Sequence, residues 1–369
     1  MKPSRTLRPT LWIDGKQALT WDQTRLPFER VAISLASSAD CARAIAAMQV
    51  RGAPLIGAVA ALGMAMAIDE SLQQNPQARL QSDWLDALAR PLLATRPTAV
   101  NLAWGIKQVC SAVSKAQGEY SLAAWQSAVA LIEADVACNH AIGMQTQIAL
   151  REQAARATRE RPLKLLTHCN AGALATVDWG TASAAMYQLH AAGVPLHVWV
   201  DETRPRNQGA SLTAYELADA GIPHTVIADN AGGLLMMRGQ VDAVIVGCDR
   251  VCANGDVVNK IGTYLKALAA KAHNIPFWVA CPRSTIDLNC ANGLAVAIEE
   301  RSTLELSRVR GRLVDGGEDA DGLTVEVDIM SPGQHCYNPG FDITPAALVS
   351  ALITEDAVLS PHAIRDYCP

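Results

Sequence analysis

The sequence is poor in aromatic side chains and in charge. Phe, Trp and Tyr make up 5% of the chain, with only three Phe, and the four charged residue types make up 18%. Half of the 369 residues are hydrophobic, so the chain can bury a large core divided between two domains. This composition is typical of a helix-rich soluble enzyme.

Long apolar runs and an excess of positive charge are also missing. No apolar run reaches the ~18–20 residues that cross a bilayer. The basic N-terminus, with Lys2, Arg5 and Arg8, is not followed by the apolar core of a signal peptide. The formal net charge of −5 argues against a polyanion-binding protein. We therefore expect a cytoplasmic protein that binds neither a membrane nor nucleic acid, although a local basic site for a small anion is compatible with this charge.

The ten cysteines show none of the spacings that hold zinc. There is no CxxC pair, and no paired histidine motif completes a site with Cys248 and Cys252. We interpret most of the ten as buried free thiols in a reducing compartment. The sequence thus predicts no metal site.

The first part of the chain is predicted to be mainly helical. Residues 10–35 form short strands and turns, with a turn at Asp14 and Gly15. A helix is predicted over 38–48, and a long one over about 121–157. Between them, the run LIGAVAALGMAMAI is apolar all round, which indicates a buried helix. Its 14 residues are too few for a membrane span.

Beyond Pro162 the pattern changes to alternating strands and helices. Four helical segments separate five strand-like runs: LKLLTH, VPLHVWV, HTVIA, AVIVG and FWVA. This alternation is typical of a doubly wound parallel sheet. We predict an α/β protein with a mainly helical N-terminal domain carrying a few short strands (1–155) and a Rossmann-like, doubly wound parallel-sheet C-terminal domain (156–369).

Three of the predicted strands are followed by reactive or polar side chains. Cys169 lies in a small-residue turn, where a helix N-terminus would favour an anion; the alternative is a buried structural cysteine. Gln208 ends a loop with two arginines that suits sugar hydroxyls or a phosphate; the alternative is a solvated loop. Burial would raise the pKa of Asp249 and suit it to general acid work; the alternative is a helix cap.

Two further segments carry polar or turn-forming residues. Asn259 and Lys260 are predicted at the start of the next helix, where Lys260 can face a bound phosphate. In the segment 337–345, Thr344 is predicted to cap a helix that has Pro345 as its first residue, a purely structural role.

The helical part contributes two basic positions. Arg51 offers a bidentate phosphate donor, and Gly52 and Ala53 allow the backbone to approach a ligand, although a plain break between helices explains this motif as well. Arg96 precedes a turn that opens another helix. Because the carboxyl ends of parallel strands meet at one edge of a sheet, we expect Cys169, Gln208 and Asp249 to converge there.

Six motifs in this order resemble a known family. They are RGAPLIG, RPTAVNLAW, CNAGALAT, ETRPRNQGASLTAYEL, GCDRVCANGDVVNKIGTY and YNPGFDITP. Together they resemble the methylthioribose-1-phosphate isomerases of methionine salvage. That family is shared with regulatory subunits of a translation-initiation exchange factor and with archaeal ribose-1,5-bisphosphate isomerases. The resemblance runs from about Trp12 to Pro361, with NPGFD in place of NPAFD and a loose fit over 305–333.

The resemblance implies a role for each matching residue. Cys169 and Asp249 match the catalytic pair of the family. The substrate-binding positions match Arg51, Gly52, Ala53, Arg96, Gln208, Asn259 and Lys260. A homodimer without metal or cofactor is also implied, with a small-molecule sugar phosphate as its substrate.

The implied reaction converts 5-methylthioribose 1-phosphate to 5-methylthioribulose 1-phosphate. Asp249 would be the general acid. Cys169 would either carry a proton between C2 and C1 or support a hydride shift between them. Two alternatives stay open. One is an isomerase of 5-deoxyribose 1-phosphate or ribose 1,5-bisphosphate, and the other is a non-catalytic regulatory subunit.

Overall fold

The structure, a computed structural model, describes residues 7–96, 99–314 and 322–367. The chain opens with an antiparallel three-stranded sheet of β1 (Leu11–Asp14), β2 (Gln17–Trp21) and β3 (Ala32–Leu35). Gly15 has a positive φ of 63° in the turn between β1 and β2, which confirms the turn predicted there.

Five helices follow and form the first core. They are α1 (Ser38–Ala46), α2 (Ala53–Gln74), α3 (Trp84–Leu93), α4 (Val100–Lys115) and α5 (Tyr120–Ala155). Every residue of α2 from Leu55 to Ile68 is buried, which confirms the core helix predicted from its apolar run. Pro97 and Thr98 of the turn predicted before α4 lie outside the described residues.

The 14-residue length of the apolar run does not by itself exclude that α2 spans a membrane. With its flanking residues α2 is 22 residues long, and by length and composition it is a candidate span. The reason to interpret it as a core helix is burial, since 78% of its most apolar window lies inside the protein.

The second part contains the predicted parallel sheet. Its strands are β4 (Leu163–Thr167), β5 (Leu196–Asp201), β6 (His224–Ile227), β7 (Ala243–Val246), β10 (Phe277–Ala280), β15 (Ala351–Ile353) and β16 (Val358–Leu359). They lie in the order β16-β15-β10-β7-β4-β5-β6, and all neighbours are parallel except β15 and β16. The five strands predicted from sequence are all present.

Helices cover both faces of this sheet. They are α6 (Ala184–Ala191), α7 (Ala214–Asp219), α8 (Ala231–Met237) and α9 (Thr263–Ala272). Successive side chains of a strand point to opposite faces. In β7, Ala243 and Ile245 therefore pack in the core with α5, α6 and α7, while Val244 and Val246 pack in the core with α8 and α9. The fold is doubly wound, as predicted.

A second sheet interrupts the step from β7 to α9. It contains β8 (Arg250–Cys252), β9 (Val257–Lys260), β11 (Ile286–Asp287) and β14 (Phe341–Thr344), in the order β11-β8-β9-β14. The prediction that Asn259 and Lys260 begin a helix is therefore wrong, because they end β9 and α9 begins at Thr263. The adjacent β-branched Val257 and Val258 favour a strand.

The prediction for 337–345 is also wrong in its local structure. Phe341–Thr344 is β14, paired antiparallel with β9, so Thr344 is a strand residue. The segment beyond Pro345 is only a short 3-10 turn, Ala346–Leu348. Sequence could not show this pairing, because β9 lies about eighty residues earlier in the chain.

The remaining elements are short. They are α10 (Leu304–Ser307), a hairpin of β12 (Arg308–Arg312) and β13 (Thr324–Asp328), and α11 (Ile364–Tyr367). The predicted domain boundary between residues 155 and 156 falls at the end of α5. Because Ile142 and Leu150 of that helix pack against the sheet, the division into two domains stays a prediction.

Candidate active site

One cavity lies beyond the carboxyl ends of β4, β5 and β7, with the start of α2 and the end of β9 closing it. All the site residues predicted from sequence line this cavity: Arg51, Gly52, Ala53, Arg96, Cys169, Gln208, Asp249, Asn259 and Lys260. The thiol and the carboxyl thus face one hollow from two different strands of the sheet. This is the edge at which open α/β sheets bind ligands.

The backbone of Cys169 is held by two threonines. Its N–H donates to Thr203 Oγ1 at 2.8 Å, and its carbonyl accepts from Thr213 Oγ1 at 2.7 Å. Its φ is +66°, a left-handed conformation that is uncommon away from glycine. The helix N-terminus expected beside it is absent, since a 3-10 turn follows and α6 begins only at Ala184. Side-chain hydrogen bonds therefore position this half-buried thiol.

Burial raises the pKa of the Asp249 carboxyl, while the cations Lys260, Arg96 and Arg51 lower it. The balance is a raised pKa, the direction expected for a general acid. Its backbone N–H donates to Val258 of the adjoining hairpin at 3.0 Å, so Asp249 begins a β-hairpin and does not cap a helix.

Two buried cations line the cavity. Arg51 comes from the start of α2, and its guanidinium donates to Asn170 Oδ1. Lys260 comes from β9 and is 9% exposed, with its ammonium 4.9 Å from the centre of the Phe341 ring. Burial lowers the pKa of Lys260. Desolvated cations of this kind favour an anionic ligand.

Gly52 lets α2 approach the loop that follows β4. Its φ is +89°, and a Cβ there would lie 2.4 Å from the carbonyl oxygen of Ala175. No side chain fits in that space. Gly52 thereby brings the first turn of α2, with Arg51 and Ala53, against the loop that carries Cys169.

Two amide side chains face the same space. Gln208 is 6% exposed, and its Oε1 accepts no hydrogen bond from any residue that the structure describes. Asn259 donates from Nδ2 to Thr263 Oγ1 at 3.0 Å. A buried acceptor without a partner is costly, and a ligand hydroxyl is a suitable donor for Gln208.

Sequence reasoning missed several lining residues, among them Arg206, Arg301 and Phe341. Arg206 was seen only as part of a polar loop, and Arg301 lies in no recognisable motif. Both bind Glu305, Arg206 at 3.0 Å and Arg301 at 2.8 Å. Phe341 was assigned a purely structural role, and only its pairing with β9 brings it to the cavity.

A chain of ion pairs crosses the mouth of the cavity. Arg96 lies 3.4 Å from Glu299, which also binds Arg301 at 2.7 Å. Around the cavity, the cations outnumber the carboxylates that face them: Arg51, Arg96, Arg206, Lys260 and Arg301 lie opposite Asp249, Glu299 and Glu305. This excess of positive charge suits a dianionic phosphate.

One group of potential metal ligands lies behind Cys169. The ligand atoms of His168, Asp201 and Asp229 lie within 4.8 Å of one another. However, the ammonium of Lys266 is 3.1 Å from Asp201 Oδ2 and also donates to the backbone carbonyl of Asp229. His168 bonds Asp201 at 2.8 Å and the carbonyl of Ile261 at 2.9 Å. Since the ammonium already supplies the cation, we interpret the group as a hydrogen-bond network.

Comparisons with known proteins identify the family of this chain. Residues 49–361 match the Initiation factor 2 subunit family. The chain is 49% identical over 375 residues to the methylthioribose-1-phosphate isomerase of Paramagnetospirillum magneticum, covering 100% of this chain and 99% of that one. It is 50% identical to the enzyme of that name from Methylorubrum populi, covering 97% and 93%.

Solved structures show the same relationship. The 5-methylthioribose 1-phosphate isomerase of Pyrococcus horikoshii superimposes with a TM-score of 0.78 and 35% identity, covering 98% of this chain and 95% of that one. The translation initiation factor eIF-2B subunit delta of A. fulgidus gives a TM-score of 0.75 and 37% identity, with 96% of each chain covered. The chain therefore belongs to the Initiation factor 2 subunit family, and within it to the methylthioribose-1-phosphate isomerases.

Proposed function

We propose that this chain is an aldose–ketose isomerase that converts 5-methylthioribose 1-phosphate to 5-methylthioribulose 1-phosphate in methionine salvage. The observation that carries the proposal is that Cys169 and Asp249, from separate strands, line one cationic cavity. The identity to named isomerases over the whole chain supports it.

The phosphate on the anomeric oxygen decides the chemistry. It prevents the sugar from opening to a free aldehyde, so the ring oxygen must be protonated as the C1–O bond breaks. Asp249 is the proposed proton donor, and its raised pKa supports that role.

A hydrogen then moves from C2 to C1. In the proton route, Cys169 takes the proton from C2 and returns it to C1, and the C2 hydroxyl loses its proton as the ketone forms. In the hydride route, the hydrogen shifts with its electron pair, and Cys169 only supports the reacting carbons. Deuterium at C2 distinguishes the two: its loss to solvent indicates the proton route, and full retention at C1 indicates the hydride route.

The phosphate is proposed to lie among Arg51, Arg96 and Lys260. These groups approach from the start of α2, from the residue before the turn into α4, and from β9, so a bound phosphate is held from several sides. Fixing the phosphate fixes C1 and C2 near both reacting groups, which is where much of the rate enhancement arises. Gln208 and Asn259 are proposed to bind the sugar hydroxyls.

A neighbouring cavity of about 310 Å³ supports a methylthio group at C5. It shares Met48, Arg51, Arg206 and Gln208 with the first cavity, and Arg206 is paired with Glu305 at 3.0 Å. Its other apolar lining residues are Leu26, Pro27, Phe28, Pro205, Leu212, Leu304 and Val309. Its outer arginines face acids: Arg308 binds Asp328 at 2.9 Å, and Arg310 lies opposite Glu326 in the β12–β13 hairpin. A 5-phosphate would need free cations at this place, so the bisphosphate is the weaker alternative.

The variants Cys169→Ser and Asp249→Asn test the proposal. We expect each to reduce turnover of methylthioribose 1-phosphate by at least about 10²-fold with unchanged thermal unfolding, because each removes a reacting group and keeps its shape. Turnover near that of the wild type in both variants would refute the assignment. Assays with 5-deoxyribose 1-phosphate and ribose 1,5-bisphosphate rank the related substrates, and purified protein that consumes none of the three sugars would favour the regulatory subunit.

The protein is further proposed to be a cytoplasmic homodimer. Exposed apolar side chains on the adjacent helices α8 and α9 support a contact between copies: Leu234, Met237, Leu265 and Leu268, which are 39–67% exposed. We expect Leu265→Asp to lower the molar mass in light scattering, with the exposed Lys115→Met as control. An unchanged dimer would exclude this face.

A further inference from the structure

Glu216 is an acid buried directly behind the loop that carries Cys169. It lies on α7, is 2% exposed, and does not line the cavity. Its carboxylate accepts a hydrogen bond from Asn170 Nδ2 at 2.6 Å and one from the backbone N–H of Leu174 at 3.1 Å. Burial raises the pKa of Glu216 to about 7. A buried acid is destabilising when ionised, so this position is occupied at a cost in stability.

The carboxylate of Glu216 determines which way the Asn170 amide points. An amide has a donor end and an acceptor end, and it can turn over at little steric cost. On one side, Asn170 Nδ2 donates to Glu216 and to Thr213 Oγ1, the latter at 3.0 Å. On the other side, Asn170 Oδ1 accepts from the guanidinium of Arg51. When Glu216 is ionised, its carboxylate only accepts and the Arg51 guanidinium only donates, which leaves the amide one orientation.

The same network reaches the backbone of Cys169. The hydroxyl of Thr213 accepts from Asn170 and donates to the carbonyl of Cys169 at 2.7 Å. This carbonyl belongs to a residue with a φ of +66°, a strained conformation that persists where the surroundings determine it. Gly172 leaves room for the Glu216 carboxylate, because a Cβ at this position would lie 1.6 Å from Glu216 Oε1.

We propose that Glu216 is the positioning residue of this site: through the amide of Asn170 it aims the guanidinium of Arg51 and, through Thr213, holds the left-handed backbone of Cys169. Glu216 touches neither the substrate nor the reacting atoms. The role rests on the proposed function, in which Arg51 binds the phosphate and Cys169 serves the hydrogen transfer.

The variant Glu216→Gln tests the proposal while keeping size and burial. Its amide can donate to Asn170, so Asn170 can turn its NH₂ group toward the guanidinium of Arg51, where donor meets donor. We expect kcat to fall about 10²-fold, the scale of a misplaced catalytic group. The double variant Asn170→Asp/Glu216→Gln exchanges acceptor and donor at unchanged net charge, and we expect it to recover at least tenfold of that loss.

A matched control separates positioning from the loss of any buried acid. Asp135 also has a pKa raised to about 7 by burial, but it lines a different cavity. We expect Asp135→Asn to keep wild-type kcat. Thr213→Val, which removes the hydroxyl between Asn170 and Cys169, replaces Glu216→Gln if that variant does not fold. Turnover of the folded variant within threefold of the wild type, or a folded double variant no more active than Glu216→Gln, would overturn the proposal.

A second measurement does not depend on the reaction. Alkylation of Cys169 by iodoacetamide, followed by peptide mass spectrometry, reports the thiolate directly. Arg51 and Cys169 attract each other electrostatically, so releasing Arg51 is expected to slow this alkylation at least threefold in Glu216→Gln. If the wild type turns over no sugar phosphate, the proposed function fails. The ratio of the alkylation rates of Glu216→Gln and the wild type then decides alone whether Glu216 positions the thiol. An unchanged rate would show that it does not.

Discussion

At the scale of single residues, the site is controlled by how charges are buried. Asp249 is surrounded by cations and still has a raised pKa, because desolvation outweighs their attraction. Among the cations, Lys260 lowers the pKa of Asp249 the most. Burial in turn lowers the pKa of Lys260 itself. The ligand-free site therefore holds a carboxyl with a raised pKa beside cations that lack full solvation, an arrangement that suits a general acid acting on an anionic sugar.

This balance predicts a pH dependence. A general acid must be protonated, so kcat/KM should fall as the pH rises through the raised pKa of Asp249 in the free enzyme. Lys260→Met removes the strongest effect that lowers this pKa, and we expect the fall in kcat/KM to move to higher pH. The measurement is kcat/KM across pH 5–9, with Lys115→Met on α4 as a control that leaves the profile in place. A Lys260→Met profile at the wild-type position would contradict the assignment of Asp249.

At the scale of elements, the site depends on how closely α2 approaches the loop after β4. Gly52 begins that helix and leaves no room for a Cβ against Ala175. The hairpin β8–β9 has a similar role on the other side, because it carries Asn259 and Lys260 away from the helix and into the cavity. Short backbone segments, rather than long helices, thus set the distances between the cations and the pair of Cys169 and Asp249.

The contact of α2 can be tested with two alanine variants. Gly52→Ala and Gly15→Ala both place a side chain at positive φ, a conformation that favours glycine. Only at Gly52 does the new Cβ collide with backbone, 2.4 Å from Ala175 O, whereas nothing lies within 4 Å at Gly15. We expect Gly52→Ala to lose about 10²-fold in kcat/KM because Arg51 is displaced, and Gly15→Ala to lose little activity. Equal activity in the two variants would contradict this reasoning.

At the scale of the whole molecule, α5 links the two cores. Its first half packs in the core with α2 and α4, and its second half packs in the core with α6 and the sheet. Asp135 lies near the change from one core to the other and accepts a hydrogen bond from the backbone N–H of Val177 at 2.7 Å. Burial raises its pKa to about 7. This acid therefore makes the junction between the helices and the sheet sensitive to pH.

The raised pKa of Asp135 determines whether the folded state becomes more or less stable as the pH rises. A carboxyl whose pKa is higher in the folded than in the unfolded chain favours folding at low pH, and this contribution is lost as the pH rises toward and through about 7. Asp135→Asn keeps an acceptor for Val177 and removes the charge. We expect it to raise the free energy of unfolding at pH 8 by on the order of 1 kcal/mol and to change it little at pH 4.

Thermal unfolding at both pH values measures this effect, with Glu133→Gln on the exposed side of α5 as control. An Asp135→Asn variant less stable than the wild type at pH 8 would contradict the sign.

Particular residues show how far sequence reasoning reached. Cys169, Gln208 and Asp249 were found because each follows a strand of a predictable parallel sheet, and the edge at which such strands end is a topological rule. The strand character of Asn259, Lys260 and Phe341 was missed, because it depends on a pairing between segments far apart in the chain. Arg301 carried no local signal at all, since a lone arginine in an irregular segment is typical of any surface.

The sequence by itself determined the helical first part, five strands of the doubly wound sheet and the edge where the cavity lies, because periodicity and turn residues act over short distances along the chain. Only the tertiary structure decided which cations complete the cavity, how Asn170 is oriented by Glu216, and why the pKa of Asp249 is raised. Burial and electrostatic fields are sums over groups that are distant in sequence and close in space, so no local pattern of residues can specify them.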